Sequence, residues 1–319
     1  MKILYGIQST GNGHISRSSK IIDHLIKNGC DVDVLMSGNN SQVNFTSPVK
    51  YQMSGFTLFY TNEGNIDYWK TFYNLNFLQF LKDIKLDVTS YDIIISDFEP
   101  ITSWAAKLRG KECIGISNQC SFLSDKTPRP NERRILGEFL LKNMSPVTKP
   151  IGLHFDKYDD FIHTPIIKEI LLNVEPINKG HYCVYLPTHS LENIVNKFSE
   201  KRDIKFEIFS NVKRDINHGN CSIKRIQKDS FDVSLRDSHG VITAAGFQTP
   251  SEALFLGKKL MVIPNRGQYE QECNAESLKR LGVHTGGLND IDKFLVSENI
   301  VKVDWKDPTK QIVDAILSN

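Results

Sequence analysis

The sequence predicts an α/β protein made of two Rossmann-like parallel-sheet domains, and three observations carry that reading. Short β-branched runs recur in both halves, and each ends in a loop of small or polar residues that leads into an amphipathic segment, the order of a βαβ unit. At 319 residues the chain has the length of two domains, each able to bury its own core. Its composition is ordinary for a globular protein, 40% hydrophobic and 24% charged, so no low-complexity tract competes with folding.

Charge and cysteine use narrow the function. The formal net charge is only +2 and is spread evenly along the chain, which argues against a nucleic-acid tail or a strongly polybasic face. Cys30, Cys113, Cys120, Cys183, Cys221 and Cys273 are scattered, with no C-x-x-C and no zinc-type spacing, as expected of reduced cytoplasmic thiols. Met1 to Gly6 enters a strand directly, so no signal peptide is expected. No apolar run approaches the roughly 18 residues that span a bilayer. The expectation is a soluble, cytoplasmic protein.

The first half opens with a strand over 2–7, a polar glycine loop over 8–17, and an amphipathic helix over 18–28 with Ile21, Ile22, Leu25 and Ile26 on one face. Gly29 ends that helix and 31–36 is the second strand. This βαβ start raises dinucleotide binding. Gly11 and Gly13 supply two fingerprint glycines, but Ser16 takes the third place, and the second strand ends in Ser37-Gly38 without a ribose-binding carboxylate. NAD is therefore not expected, nor is any other cofactor. A buried strand over 91–96 ends in Asp97-Phe98-Glu99-Pro100, a helix runs through Trp104 to Leu108, and a strand over 112–116 ends in Ser117-Asn118-Gln119. Asp97, Glu99, Asn118 and Gln119 thus fall just past strand C-termini, on the same side of the sheet as His14. A carboxylate beside an imidazole fixes its tautomer and raises its basicity, as a general base for a hydroxyl requires. The bland alternative has His14 capping the glycine loop and Asp97 capping a helix.

The second half begins with a strand over 182–187, after a last first-half strand over 160–165 and a hinge over 167–180. Further strands are expected over 206–210 and 222–227. Residues 241–275 are the most informative stretch. The strand Val241-Ile242-Thr243 runs into Ala244-Ala245-Gly246, where the lack of side chains lets a ligand approach the backbone. Thr249-Pro250-Ser251-Glu252 reads as a helix start, with a Thr-x-x-Glu capping box and proline at the first helical position. Such a loop aims unpaired N–H groups at one point and attracts phosphate. After the strand 259–264 comes a second loop, with Gln268, Glu270, Gln271 and Asn274 suited to sugar hydroxyls. A short helix over 307–317 ends the chain.

Gly246, Ser251-Glu252 and Glu270-Gln271-x-x-Asn274 resemble the donor-binding region of GT-B glycosyltransferases, in particular family 28-like enzymes such as the N-acetylglucosaminyltransferase of peptidoglycan synthesis. Gly11-x-Gly13-His14 is similar to their acceptor-side loop, and Gly13-His14-x-x-Arg17 to a GHxxR variant. Where the peptidoglycan enzyme continues with a proline-containing sequel, this chain has Ile15-Ser16-Arg17, so donor and acceptor identity do not transfer. The resemblance implies an acceptor-side domain over 1–166, a hinge over 167–180, a donor domain over 181–305, and a C-terminal helix over 306–319 crossing back to the first.

It also implies roles. A diphosphate would rest on Ala245, Gly246, Phe247 and Thr249, with ribose on Glu252 and the transferred sugar on Glu270 and Gln271, supported by Asn274, and Gln268 among the substrate-binding residues. His14, aided by Asp97, would deprotonate the acceptor beside Gly11, Gly13, Arg17, Glu99, Asn118 and Gln119. The expected reaction is inverting, metal-independent transfer from a UDP-linked donor to a hydroxyl acceptor, lipid-linked or glycan, in cell-envelope or polysaccharide synthesis. A peripheral contact at the inner face of the membrane is compatible with this, and no protein partner is expected. Competing readings are a nucleotide-sugar 2-epimerase and a non-catalytic nucleotide-sugar binding protein.

Three other features carry weaker signals. The aromatic segment from Phe56 to Phe80 is expected to be core, with Tyr60, Tyr68 and Trp69 as a minority acceptor surround. Residues 124–134 read as a flexible basic loop over the cleft. Asp31-x-Asp33 and Asp290-x-Asp292 match a metal-binding string, but one starts a strand at the wrong end for the cleft and the other follows the donor elements. No metal is expected at either.

Overall fold

The computed structural model describes residues 1–9, 12–38, 48–55 and 76–318, and contains two seven-stranded sheets. The first is formed by β1 (Lys2–Gln8), β2 (Asp31–Ser37), β3 (Val49–Met53), β4 (Ile93–Asp97), β5 (Ile114–Ser117), β6 (Lys149–Leu153) and β7 (Ile162–His163). Its order is β3-β2-β1-β4-β5-β6-β7 and every pair is parallel. Between these strands run α1 (Asn12–Lys27), α2 (Phe77–Asp83), α3 (Pro100–Leu108), α4 (Asn118–Ser121) and α5 (Ile135–Asn143).

A connection carrying the short α6 (Glu169–Leu172) leads to the second sheet. Its strands are β8 (His181–Tyr185), β9 (Lys205–Ser210), β10 (Ile216–His218), β11 (Cys221–Arg225), β12 (Gly240–Ala244), β13 (Lys259–Ile263) and β14 (His284–Thr285). The order is β10-β11-β9-β8-β12-β13-β14, with only the edge strand β10 antiparallel among the described pairs. The helices are α7 (Leu191–Ser199), α8 (Lys228–Asp237), α9 (Gln248–Phe255), α10 (Tyr269–Arg280), α11 (Ile291–Val296) and α12 (Thr309–Leu317).

In each sheet the strand order reverses at one point, between β1 and β4 in the first and between β8 and β12 in the second. Loops leaving neighbouring strands diverge there and open a crevice. Of the segments predicted to bind ligand, those leaving β1, β4 and β12 fall at these two points, and those leaving β5 and β13 lie one strand farther out. Central strands are apolar because helices cover both faces: all five residues of β12 and of β13 are buried. One apolar cluster runs through both halves, joining Ile21, Ile22 and Leu25 of α1 to Ile312, Val313 and Ile316 of α12. It also takes in Phe155 and Phe247, whose rings lie 5.1 Å apart across the seam between the sheets.

Several local expectations need correction. The loop expected over 8–17 is mostly helix, since α1 begins at Asn12. The capping box expected at Thr249 does not form: α9 starts at Gln248 after Phe247, without a side-chain cap, and Thr249 and Glu252 lie inside it. Phe77 is mostly exposed on α2, while Phe80 packs on the core; residues 56–75 of the aromatic segment lie outside the described residues. The basic loop over 124–134 is tied down. Arg129 is buried against Glu138 and the carbonyls of Phe122 and Thr127, Lys126 pairs with Asp159, and Arg134 pairs with Glu272.

Helix α3 sits so close to β1 that a Cβ on Gly6 would lie 2.8 Å from Thr102 Cβ and 3.0 Å from Glu99 Oε2. Gly6→Ala should therefore cost about 1–3 kcal/mol in urea unfolding, the usual penalty for overpacking a filled core. Gly246→Ala, whose Cβ would enter open space, should stay within about 0.5 kcal/mol of wild type. Equal effects at the two positions would contradict this packing account.

Candidate functional site

Asp97 ends β4 and is completely buried, so its charge must be met by protein groups. Three residues of one α1 face meet it, spaced i, i+3 and i+4. Arg17 donates through Nε to Oδ2 at 2.8 Å and through Nη2 to Oδ1. Ser18 Oγ donates to Oδ2 at 2.8 Å, and His14 Nδ1 lies 2.8 Å from Oδ1. Burial would raise the Asp97 carboxyl, but the charges of Arg17 and His14 outweigh it and hold the group below its ordinary value. Burial likewise opposes the Arg17 charge, yet Asp97 holds the guanidinium above its ordinary range.

His14 Nδ1 also lies 2.7 Å from Arg17 Nη2. The two contacts of Nδ1 are alternatives. With the proton on Nδ1 the ring donates to Asp97 and Nε2 carries the lone pair; without it, Nδ1 accepts from Arg17 and Nε2 is protonated. Only the first tautomer can act as a base at Nε2. The His14 side chain is 15% exposed, enough for a reactant to reach it.

Phe98 follows Asp97 at φ 53, the only positive φ outside glycine among the described residues. That conformation costs on the order of 1–2 kcal/mol and is held because the residues on both sides are fixed. On the far side Glu99 caps α3: its carboxylate accepts from the backbone N–H of Ile101 and Thr102 and from Ser37 Oγ. Glu99 is thus spent on the helix rather than turned toward His14. Burial pushes its carboxyl up, against those hydrogen bonds.

The second half supplies the opposite wall. A Cβ on Gly246 would meet nothing within 4 Å, and the uncapped first turn of α9 follows it. Across the seam, a Cβ on Gly13 of α1 would lie 3.1 Å from Gln248 Cβ on α9, so the starts of these two helices approach closely. Gln119 Nε2 of α4 donates to Glu270 Oε2 of α10 at 2.9 Å, and Arg17 feels the Glu270 charge. His14, Arg17, Asp97, Gln119, Gly246 and Glu270 therefore share one locale.

The remaining predicted residues divide. Asn274 donates to Ala245 O at 3.2 Å, and Gln271 accepts from Asn265 N at 3.0 Å, so both brace the loops from behind. Gln268 Oε1 lies 3.4 Å from Asn265 Nδ2. Asn118 donates to Leu153 O at 3.0 Å. Phe247 is buried in the aromatic seam, and Thr249 is half-buried in the first turn of α9. Glu252 is completely buried, accepts from Gln248 Nε2 at 2.7 Å and pairs with Lys168 at 3.1 Å. Gly11 lies outside the described residues. Asn118 Oδ1, Gln119 Oε1, Gln248 Oε1 and Asn274 Oδ1 are buried without a hydrogen-bond partner, a concentration that ordinary protein interiors avoid.

Ser18, Lys168, Gln248 and His154 escaped sequence reasoning. Ser18 was findable, because it shares a helix face with His14 once the helix is extended backwards. Lys168 acts through partners distant in sequence and carries no local signal. His154 is buried among Phe122, Phe155, Tyr158 and Phe247, its Nδ1 accepting from Phe155 N. Both Asp-x-Asp strings are engaged elsewhere: Asp33 with Lys50 and Tyr91, Asp290 with the backbone of Gly287, and Asp292 with Lys197 and Lys201.

Comparisons with known proteins bear on the family and the fold. A family model described as "Glycosyl transferase family 1" matches residues 1–303. No curated protein sequence matches. Among solved structures, MurG of Acinetobacter baumannii aligns over 100% of this chain and 100% of its own, with TM-score 0.57 and 13% identity. The glycosyltransferase SnogD of Streptomyces nogalater aligns over 100% and 95%, with TM-score 0.54 and 13% identity. UGT89C1 of Arabidopsis thaliana, solved with UDP-L-rhamnose, aligns over 99% and 94%, with TM-score 0.57 and 12% identity. At such identities the likeness establishes the fold, which is the GT-B architecture.

Two buried groups should remove stability in sequence as pH falls. Burial pushes the His154 imidazole down to about 3. The unfolded chain binds a proton near pH 6.5 while the folded one does not, so stability falls from about pH 6.5 toward pH 3. Asp97 has a depressed folded value. Its contribution is complete above the ordinary carboxylate range and is lost as pH falls through that lower value. Urea unfolding between about pH 8 and 4 should show His154→Phe flattening the profile below about pH 6.5. Asp97→Asn should cost about 3–5 kcal/mol at neutral pH, because Arg17 is left as a buried, unpaired charge. An unchanged slope in the first variant, or a near-neutral second one, would contradict the assignments.

Proposed function

The chain belongs to glycosyl transferase family 1, and from that premise we propose that it moves a sugar from a UDP-linked donor to an acceptor hydroxyl by a single inverting displacement that needs no metal. The observation that carries this reading is the approach of α1 to α9: a Cβ on Gly13, next to the Asp97-held His14, would lie 3.1 Å from Gln248 in the uncapped first turn that follows Gly246. A base and an anion cradle facing each other is the arrangement such a displacement requires.

In this reading the leaving diphosphate rests on the backbone of Ala245, Gly246 and Phe247, with Thr249 adding a hydroxyl. The N-terminal dipole of α9 offsets its charge, the work a metal ion would otherwise do. Glu252 accepts from the ribose hydroxyls, and Glu270 and Gln268 hold the transferred sugar. Gln271 and Asn274 keep the loops in register. His14 Nε2 takes the acceptor proton as its oxygen bonds to the anomeric carbon. The bond from that carbon to the diphosphate oxygen breaks with its electron pair on the oxygen, and the anomeric centre inverts. Arg17 and Ser18 orient Asp97, and through it the imidazole. We also read residues 1–166 as the acceptor-side domain, 167–180 as a hinge, 181–305 as the donor domain and 306–319 as a segment returning to the first.

UGT89C1, as its structures with UDP and UDP-L-rhamnose are described, supports the UDP assignment, and its complex with quercetin supports a hydroxyl acceptor. A lipid-linked or glycan acceptor, and a role in cell-envelope or polysaccharide synthesis, rest on the resemblance to the peptidoglycan enzyme. Among the described residues no helix is long and apolar enough to cross a membrane. Ile135, Leu136, Phe139 and Leu140 are exposed on α5, which supports peripheral contact with the cytoplasmic membrane face.

A thermal-shift panel of nucleoside diphosphates and their sugar conjugates should single out UDP and one UDP-sugar, since ligand binding raises the melting temperature by mass action. With that donor, His14→Ala should lose about 10²–10⁴-fold in transfer rate while still binding UDP. Product NMR should report the anomeric configuration opposite to the donor's, with or without EDTA. Near-normal turnover by His14→Ala, retention of configuration, or abolition by EDTA would each overturn its part of the proposal.

A further inference from the structure

Lys168 stands in the connection between the sheets, immediately before α6. Its ammonium lies 2.7 Å from Asp232 Oδ1 on α8 and 3.1 Å from Glu252 Oε2 on α9, with the Phe231 ring 5.8 Å away. Both carboxylates are buried in the second half. Glu252 Oε1 accepts from Gln248 Nε2, and that same nitrogen donates to Ile166 O at 3.1 Å. Two residues of the connection therefore hold the side chains of the donor helix.

Two buried carboxylates share one cation here, and the balance of charge matters. Burial pushes the Glu252 carboxyl up; Lys168 opposes that, and Asp232 adds to it. Burial would lower the Lys168 ammonium, but Glu252 and Asp232 together raise it to about 12. Removing the cation would leave Glu252 beside a second buried carboxylate, where taking up a proton is the cheapest relief. A protonated carboxyl loses part of its acceptor capacity, whereas an ionised one can accept from both hydroxyls of a vicinal diol.

We propose that Lys168 is a positioning residue for the donor's ribose: its ammonium, fixed between Asp232 and Glu252, holds the Glu252 carboxylate in place as acceptor for the 2′- and 3′-hydroxyls. This rests on the reading of Glu252 as the ribose-binding carboxylate. Lys168 itself touches no reacting atom. Its effect reaches the donor through Glu252, and it ties donor recognition to the segment that joins the two halves.

Calorimetric titration of UDP and 2′,3′-dideoxy-UDP into the full-length protein separates the possibilities. Wild type should prefer UDP by roughly tenfold or more, the ratio a charge-assisted hydrogen bond supplies. Lys168→Met should bring that ratio close to one by weakening UDP alone, and Lys168→Arg should restore most of it. Because the readout is a ratio within one protein, a partly unfolded sample does not mimic the result. A ratio kept in Lys168→Met, or an equal weakening of both ligands, overturns the inference and leaves the ribose reading standing. A wild type that binds both alike, or neither, overturns the ribose reading and the inference with it.

Discussion

A carboxylate sealed from water at the end of a central strand has few stable surroundings, and Asp97 imposes that condition on its half of the molecule. Its partners must come from one nearby element, and α1 provides three at helical spacing: His14, Arg17 and Ser18. For them to reach it, α1 must start at Asn12, on the β1 side of the point where strand order reverses. Phe98 must turn into the left-handed region, and Glu99 must close off α3 directly afterwards. An imidazole pinned at one nitrogen by this network and reachable from solvent is a by-product of burying the charge. It is also what proton abstraction from a hydroxyl needs.

The second sheet repeats the logic with opposite sign. After β12 the chain presents no side chain at Gly246 and no cap at α9, leaving backbone N–H groups to attract negative charge. The acidic side chains around it are restrained by residues from elsewhere, Glu270 by Gln119 and Glu252 by Lys168. The first half and the connection thus partly control the groups of the second half. The aromatic contact of Phe155 with Phe247 supplies an apolar seam beside these polar links.

Much of this was legible in the sequence, and the reasons differ by element. The strands at 241–243 and 259–264 were plain because a strand covered on both faces must be continuously apolar. β3, with the burial alternation of VKYQM, and β6, carrying Pro150 and Gly152, lack that signature and were not anticipated. The early start of α1 is hidden by Gly13, whose loop propensity is overridden by the bonds that α1 makes to Asp97. Thr249 and Glu252 have the spacing of a capping box, but Lys168 and Gln248 claim the glutamate. The prolines and basic residues of 124–134 suggest a loose loop because two of the counter-charges, Asp159 for Lys126 and Glu272 for Arg134, are remote in sequence. Local pattern thus located the site, while long-range electrostatics decided which side chains were free to serve it.

A crystal structure of the protein with UDP bound tests the central claim most directly. The account predicts the β-phosphate within hydrogen-bonding distance, about 2.7–3.2 Å, of backbone N–H groups at Gly246–Gln248, with His14 facing it from α1 and still bonded to Asp97. A diphosphate bound away from the start of α9, or a His14 ring turned out of the seam in that complex, would contradict it.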